Sequence, residues 1–238
     1  MTRLYADNLI VSRAGRRVLN GISFSVGKGE VYGLLGGNGA GKSTTLLSFL
    51  GLLPVEQGSL KVNGRGVADD PTAARGAIAY LPESASLYEH LSARENLDYF
   101  LKLAGASCES ARMESALDQV ALAQDARGRH LKHYSKGMRQ KVAIALSILR
   151  STEILLLDEP TSGLDPVAID EFHDLVRALV DGGKTILMVT HDVYGACQVA
   201  DRIGLLRDGR LVGEFAAQPN GRIDTEAVHK AFSQREAA

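Results

Sequence analysis

Between positions 36 and 43 the chain reads Gly36-Gly37-Asn38-Gly39-Ala40-Gly41-Lys42-Ser43, a G-x-x-x-x-G-K-[ST] pattern that leaves few folds open. It follows an apolar run, Val31-Tyr32-Gly33-Leu34-Leu35, that predicts a strand, and a helix is predicted to begin near Gly41. A strand that turns through glycines into a helix points consecutive backbone N–H groups, and the positive end of the helix dipole, at an anion. Lys42 adds a point charge suited to β- and γ-phosphate oxygens, and the Ser43 hydroxyl is a hard ligand suited to Mg2+. Gly36, Gly37, Asn38, Gly39, Ala40, Gly41, Lys42, Ser43 and Thr44 are therefore the candidate phosphate contacts. A glycine-rich turn with a solvated lysine would need neither the strand before it nor the helix after it.

The chain has 238 residues, 45% of them hydrophobic, enough for one large α/β domain or two small ones. With no internal repeat and no low-complexity linker, one domain with internal subdivision is the economical reading. Lys and Arg total 27 against 28 Asp and Glu, so the chain lacks the basic footprint of a nucleic-acid binder. Cys108 and Cys197 show no metal-ligand spacing, and so sparse a pair suits a reducing compartment. No apolar run approaches the ~20 residues that span a bilayer, and the start from Met1 to Asp7 lacks a signal-peptide stretch. The expectation is a cytoplasmic protein without direct membrane insertion, attached to any membrane through another polypeptide.

Up to Val62, short alternating runs such as Ile22-Ser23-Phe24-Ser25-Val26 predict antiparallel strands. From about Ser84 to Arg150 the pattern turns helical: Ser92-Ala93-Arg94-Glu95 is a capping box, and Leu97, Phe100, Leu101 and Ala104 share one helical face. A second helix is predicted over about 109–121. Two unbroken apolar runs, Ile154-Leu155-Leu156-Leu157 and Thr185-Ile186-Leu187-Met188-Val189, flank a helix predicted around 170–180, the mark of buried parallel strands in a βαβ layer.

The first of those runs ends in Asp158-Glu159, at the strand end where open α/β sheets bind ligands. Asp158 suits Mg2+ and Glu159 suits polarising a water for in-line attack on a γ-phosphate. His191 ends the second run and emerges on the same edge, although an isolated strand-end His is more often structural.

Together with Tyr134-Ser135-Lys136-Gly137-Met138-Arg139-Gln140, these residues resemble the ATP-binding-cassette family over essentially the whole chain. The segment matches the family's L-S-G-G-Q signature at Ser135 and Gly137, which by resemblance contact the γ-phosphate bound to a facing protomer. Ser162-Gly163-Leu164-Asp165 resembles the family's D-loop and His191 its switch histidine. Several positions depart from the pattern. Arg13 stands where most relatives carry an aromatic residue on adenine; a guanidinium there either stacks on the base or is a solvated surface group. Glu83, in Tyr80-Leu81-Pro82-Glu83, takes the place of a Gln beside Mg2+. Gly37 replaces a frequent Pro, and Lys136 and Met138 replace the Gly and Gln of the signature.

The resemblance implies an α/β fold: a P-loop NTPase, RecA-like core with an antiparallel β portion (1–83 and 151–215), a helical subdomain (84–150) and a C-terminal tail (216–238). It implies an ATPase that uses ATP and Mg2+, with Glu159, His191 and Lys42 catalytic, Ser43, Asp158 and Glu83 around the metal, and Arg13, Ser135 and Gly137 on nucleotide. Implied partners are a second copy of the chain, forming a homodimer over two ATP molecules, and transmembrane permease subunits at the cytoplasmic face of the inner membrane. The Leu-Pro-Glu and Tyr-Ser-Lys-Gly-Met-Arg-Gln segments are similar to a subgroup that drives export or cofactor maturation. The alternative is a soluble cassette ATPase of DNA repair or translation; the long coiled coils, zinc-binding insertions or second cassette usual in such proteins are not visible in the sequence.

Overall fold

The alternating runs near the start form a hairpin of β1 (Thr2–Arg13) and β2 (Arg16–Gly27), with Leu4, Leu9, Leu19 and Ile22 wholly buried. The chain then crosses to a second sheet as β3 (Val31–Gly36), passes through α1 (Lys42–Phe49), and returns to the first as β4 (Gln57–Val62) and β5 (Arg65–Gly66). The first sheet is antiparallel in the order β2-β1-β4-β5. The computed structural model describes residues 1–84, 86–218 and 223–234.

After α2 (Pro71–Ala77) and β6 (Ile78–Leu81) come three helices, α3 (Ala93–Leu103), α4 (Ser110–Gln119) and α5 (Lys136–Leu149). The chain re-enters the second sheet with β7 (Ile154–Asp158), α6 (Pro166–Asp181), β8 (Thr185–Thr190), α7 (Val193–Val199) and the hairpin β9 (Arg202–Arg207) and β10 (Arg210–Ala216). That sheet runs β10-β9-β3-β8-β7-β6, parallel except for β10. The chain closes on α8 (Thr225–Ser233).

Both faces of the parallel sheet are covered, which is why its strands read as unbroken apolar runs. Ile154 and Leu156 of β7 point into a core shared with the antiparallel sheet and α1, through Leu4, Leu34, Leu46 and Phe49. Leu155 and Leu157 point the other way, into a core with Leu97, Leu101, Val142 and Val176 of the helices. Such two-sided burial leaves the strand ends as the open edge of the layer.

Local signals set the helix ends. The capping box forms as read: Glu95 N–H donates to Ser92 Oγ at 3.3 Å and Ser92 N–H to Glu95 Oε2 at 2.7 Å. The helix expected around 170–180 begins four residues earlier, at Pro166, because Asp165 accepts from Ala168 N–H at 2.9 Å and proline suits the first helical position. α2 follows the same Asp-Pro device at Asp70 and Pro71, without an amphipathic pattern long enough to announce it. Within the stretch 216–238, α8 buries Val228, with Ile223 just before it; residues 219–222 and 235–238 of that stretch lie outside the described residues. No helix among the described residues is long and apolar enough to cross a membrane.

Candidate nucleotide site

Glycine is required at specific points of the loop between β3 and α1. Gly41 has φ +109°, and a Cβ there would lie 2.6 Å from Leu19 Cδ2 and 3.2 Å from the Val18 carbonyl oxygen. A Cβ on Gly36 would lie 2.7 Å from the Leu206 carbonyl oxygen. Gly37 has open space around its Cβ position, so the departure from proline at that point meets no steric demand. The loop is anchored from outside, where Gly209 N–H donates to the Ala40 carbonyl at 3.1 Å. Thr44 is buried behind it, its carbonyl accepting from Ser48 Oγ at 2.8 Å, while Asn38 and Gly39 are exposed.

Lys42 is 7% exposed and its ammonium is fully engaged: Nζ donates to the carbonyls of Gly36 at 2.7 Å and Gly37 at 3.2 Å, and lies 3.1 Å from Glu159 Oε1. Ser43 Oγ donates to Asp158 Oδ1 at 3.2 Å, and Tyr80 OH donates to Asp158 Oδ2 at 3.2 Å. Burial raises the Asp158 carboxyl above its ordinary range, against the pull of the Ser43 and Tyr80 hydrogen bonds. Burial, then the charge of Asp158, also pushes the Tyr80 hydroxyl upward.

Glu159 follows β7 with φ +46°, a left-handed conformation uncommon outside glycine, and its N–H donates to the Val189 carbonyl at 2.9 Å. This bond to the end of β8 turns the carboxylate toward the phosphate loop. Oε2 accepts from Thr190 Oγ1 at 3.0 Å and from His191 N–H at 3.2 Å, and His191 Nδ1 lies 2.8 Å away. The register of β3, β8 and β7 thus brings Lys42, Ser43, Asp158, Glu159 and His191 to one edge.

Other sequence candidates stand apart from that cluster. Ser135 is exposed and caps α5 by accepting from Met138 N–H at 3.2 Å. Among the described residues no hydrogen bond joins Ser135 or Gly137 to the phosphate loop or to Glu159. Glu83 Oε1 accepts from Ser162 Oγ at 3.1 Å rather than meeting Ser43 or Asp158. Arg13 is exposed at the β1–β2 turn, opposite Arg16 in the hairpin. Sequence reasoning passed over Tyr80 and Thr190, whose signal was their place at the C-terminal ends of β6 and β8, and over the Lys136 side chain, which donates to the Ser162 carbonyl at 2.6 Å.

A protein-family model described as "ABC transporter" matches residues 19–162, more than half of the chain and including the loop, Asp158 and Glu159. The chain belongs to the ABC transporter family. It is 40% identical over 230 residues to the daunorubicin/doxorubicin resistance ATP-binding protein DrrA of Streptomyces peucetius, covering 94% of this chain and 69% of that protein. It is 36% identical over 223 residues to the Nod factor export ATP-binding protein I of Burkholderia orbicola (strain AU 1054), covering 93% of this chain and 70% of that one. A solved ATP binding subunit of an ABC transporter shares its fold with a TM-score of 0.77 and 31% identity, over 99% of this chain and 95% of that chain. As an ABC transporter ATP-binding subunit, the chain binds and hydrolyses ATP and acts with a transmembrane partner.

Proposed function

We propose that the edge formed by β3, β7 and β8 is the hydrolytic site and that its turnover drives export by a membrane partner. The observation that carries the assignment is the contact between Lys42 and Glu159, 3.1 Å apart and both largely buried, beside the Ser43–Asp158 pair. In this reading the loop amides of residues 36–44 and Lys42 bind the β- and γ-phosphates, and Glu159 takes a proton from the attacking water as its oxygen bonds to the γ-phosphorus and the bond to the ADP oxygen breaks. His191, on the same carboxylate oxygen as Thr190, orients Glu159.

Ser43 and Asp158 form a hard-oxygen pair whose chemistry fits Mg2+, and they are the residues that would hold it. Bound there, the ion would neutralise charge on the phosphate oxygens. Glu83 would join them only by exchanging its Ser162 contact for the ion.

Ser135 is exposed at the start of α5, and among the described residues neither it nor Gly137 has a hydrogen bond to its own chain's cluster, which supports their role on the nucleotide of a second copy in a homodimer. Arg13, exposed at the β1–β2 turn, either stacks on the base or stays a solvated surface group. The name of the Nod factor export relative supports the export direction. The test is ATP hydrolysis by the purified chain across a Mg2+ titration: turnover should vanish on chelation and return with the ion, and metal-independent turnover would overturn the assignment of Ser43 and Asp158.

A further inference from the structure

Donors on one face of α5 reach the segment that follows Glu159. Lys136 and Gln140 stand one helical turn apart. Lys136 Nζ donates to the Ser162 carbonyl at 2.6 Å, and Gln140 Nε2 donates to the Pro160 carbonyl. Ser162 N–H in turn donates to the Glu159 carbonyl at 3.1 Å, closing a turn that begins at Glu159 itself. Ser162 Oγ donates to Glu83 Oε1 at 3.1 Å. Ser162 therefore ties together the loop after β6, the loop after β7 and the first turn of α5.

The next residue lies beside the lysine stem. Gly163 has φ +69°, and a Cβ there would stand 4.0 Å from both Cδ and Nζ of Lys136, so the lysine stem lies along the glycine. The ammonium is thus committed within its own chain. Glu159, at φ +46°, holds a conformation that its surroundings must enforce. The bond from its N–H to Val189 fixes one side of it, and the clasp from α5 fixes the turn on the other.

We infer that Lys136 and Ser162 are positioning residues that transmit the placement of the helices α3 to α5 to the Glu159 carboxylate, by fixing the turn that follows it. The inference rests on the reading of Glu159 as the base. A shift of α5 relative to β7 must move the carbonyls of Pro160 and Ser162 or break the bonds to them, and either result reaches Glu159 through the shared turn.

The test uses the full chain with Lys136→Met, which keeps the stem and removes the donors, Lys136→Arg, which restores a donor, and Ser162→Ala, which cuts only the arm to Glu83. Amide hydrogen exchange over residues 159–165 and steady-state ATP hydrolysis are measured together. Lys136→Met should speed exchange at the Ser162 and Leu164 amides and lower kcat about tenfold, the scale of one charge-assisted hydrogen bond, with KM for ATP within about twofold of the parent. Lys136→Arg should recover most of both, and Ser162→Ala should give a smaller loss of kcat. Unchanged exchange in Lys136→Met would show that no clasp exists. Faster exchange with unchanged kcat, or a raised KM with unchanged kcat, would likewise overturn the positioning role. Failure of the base reading itself would show separately, as retained turnover in Glu159→Gln with the exchange result intact.

Discussion

Lys42 Nζ stands 3.1 Å from Glu159 Oε1, while Glu159 Oε2 is held by Thr190 and His191. The cation suited to phosphate and the carboxylate suited to water are thus paired with each other, in a setting where Glu159 is 12% and Lys42 7% exposed. In the proposed reading, a triphosphate entering the loop would compete with Glu159 for Lys42, and success in that competition would free Oε1 to accept a proton. Lys42→Ala should therefore weaken ATP binding and reduce kcat by roughly 10²–10³-fold, the scale of removing one transition-state donor. Isothermal titration and phosphate-release assays check both effects, and near-normal turnover would remove Lys42 from the site.

The glycines of the loop should differ sharply in tolerance. Gly41→Ala forces a side chain into φ +109° and against Leu19, and should cost about 1–3 kcal/mol with loss of ATP affinity. Gly37→Ala meets nothing within 4 Å and should change stability by less than about 0.5 kcal/mol. Thermal denaturation and nucleotide titration of the two variants make the comparison; equal damage would mean that the loop's shape is set otherwise.

Much of this arrangement is legible in sequence because its determinants are local. The glycine loop between a strand and a helix, the apolar runs of β7 and β8, and the Ser92 capping box each lie within a few consecutive residues. The contacts that finish the site are not local. Tyr80 meets Asp158 across 78 positions, Glu159 meets Thr190 across 31, and Lys136 meets Ser162 across 26. Strand order decides such pairs, and no pattern in one segment declares the order. Glu83 shows the same limit: the resemblance implies a place beside a metal, and the partner its side chain meets in the fold, Ser162, lies 79 positions away. α2 and α8 are short and announced by little more than Asp70-Pro71 and Asp224 at their N-terminal ends, too little to read without the surfaces they cover.

A third prediction concerns the helical stretch. Glu114 on α4 bridges Arg94 of α3 at 2.6 Å and Arg127 at 2.8 Å. The hydrogen bond from Arg94, then that from Arg127, holds its carboxyl down at about 2, well below its ordinary 4.5. A carboxylate depressed in the folded state stabilises it above the ordinary value, and that contribution is lost as pH falls from about 4.5 toward 2. Glu114→Gln should lower Tm at pH 7, where Arg127, 3% exposed, loses a charged partner, and its deficit should shrink toward zero near the folded value. Melting curves across that range check the sign; a deficit that does not change with pH would mean that the carboxylate charge contributes nothing.

Glu159 is proposed to perform the hydrolytic step in a site completed by a second copy of the chain. The direct measurement is light scattering of Glu159→Gln with ATP and Mg2+, alongside ATP binding and phosphate release. The amide oxygen can still accept from Thr190 and His191, but the NH2 group cannot accept from Lys42 and the amide cannot take a proton. Retained ATP binding, phosphate release reduced at least about 10²-fold, and a shift from monomer to dimer that ADP does not produce are the results expected of that assignment. Continued phosphate release at the parent rate, or ATP bound at saturation by a chain that stays monomeric, would contradict it.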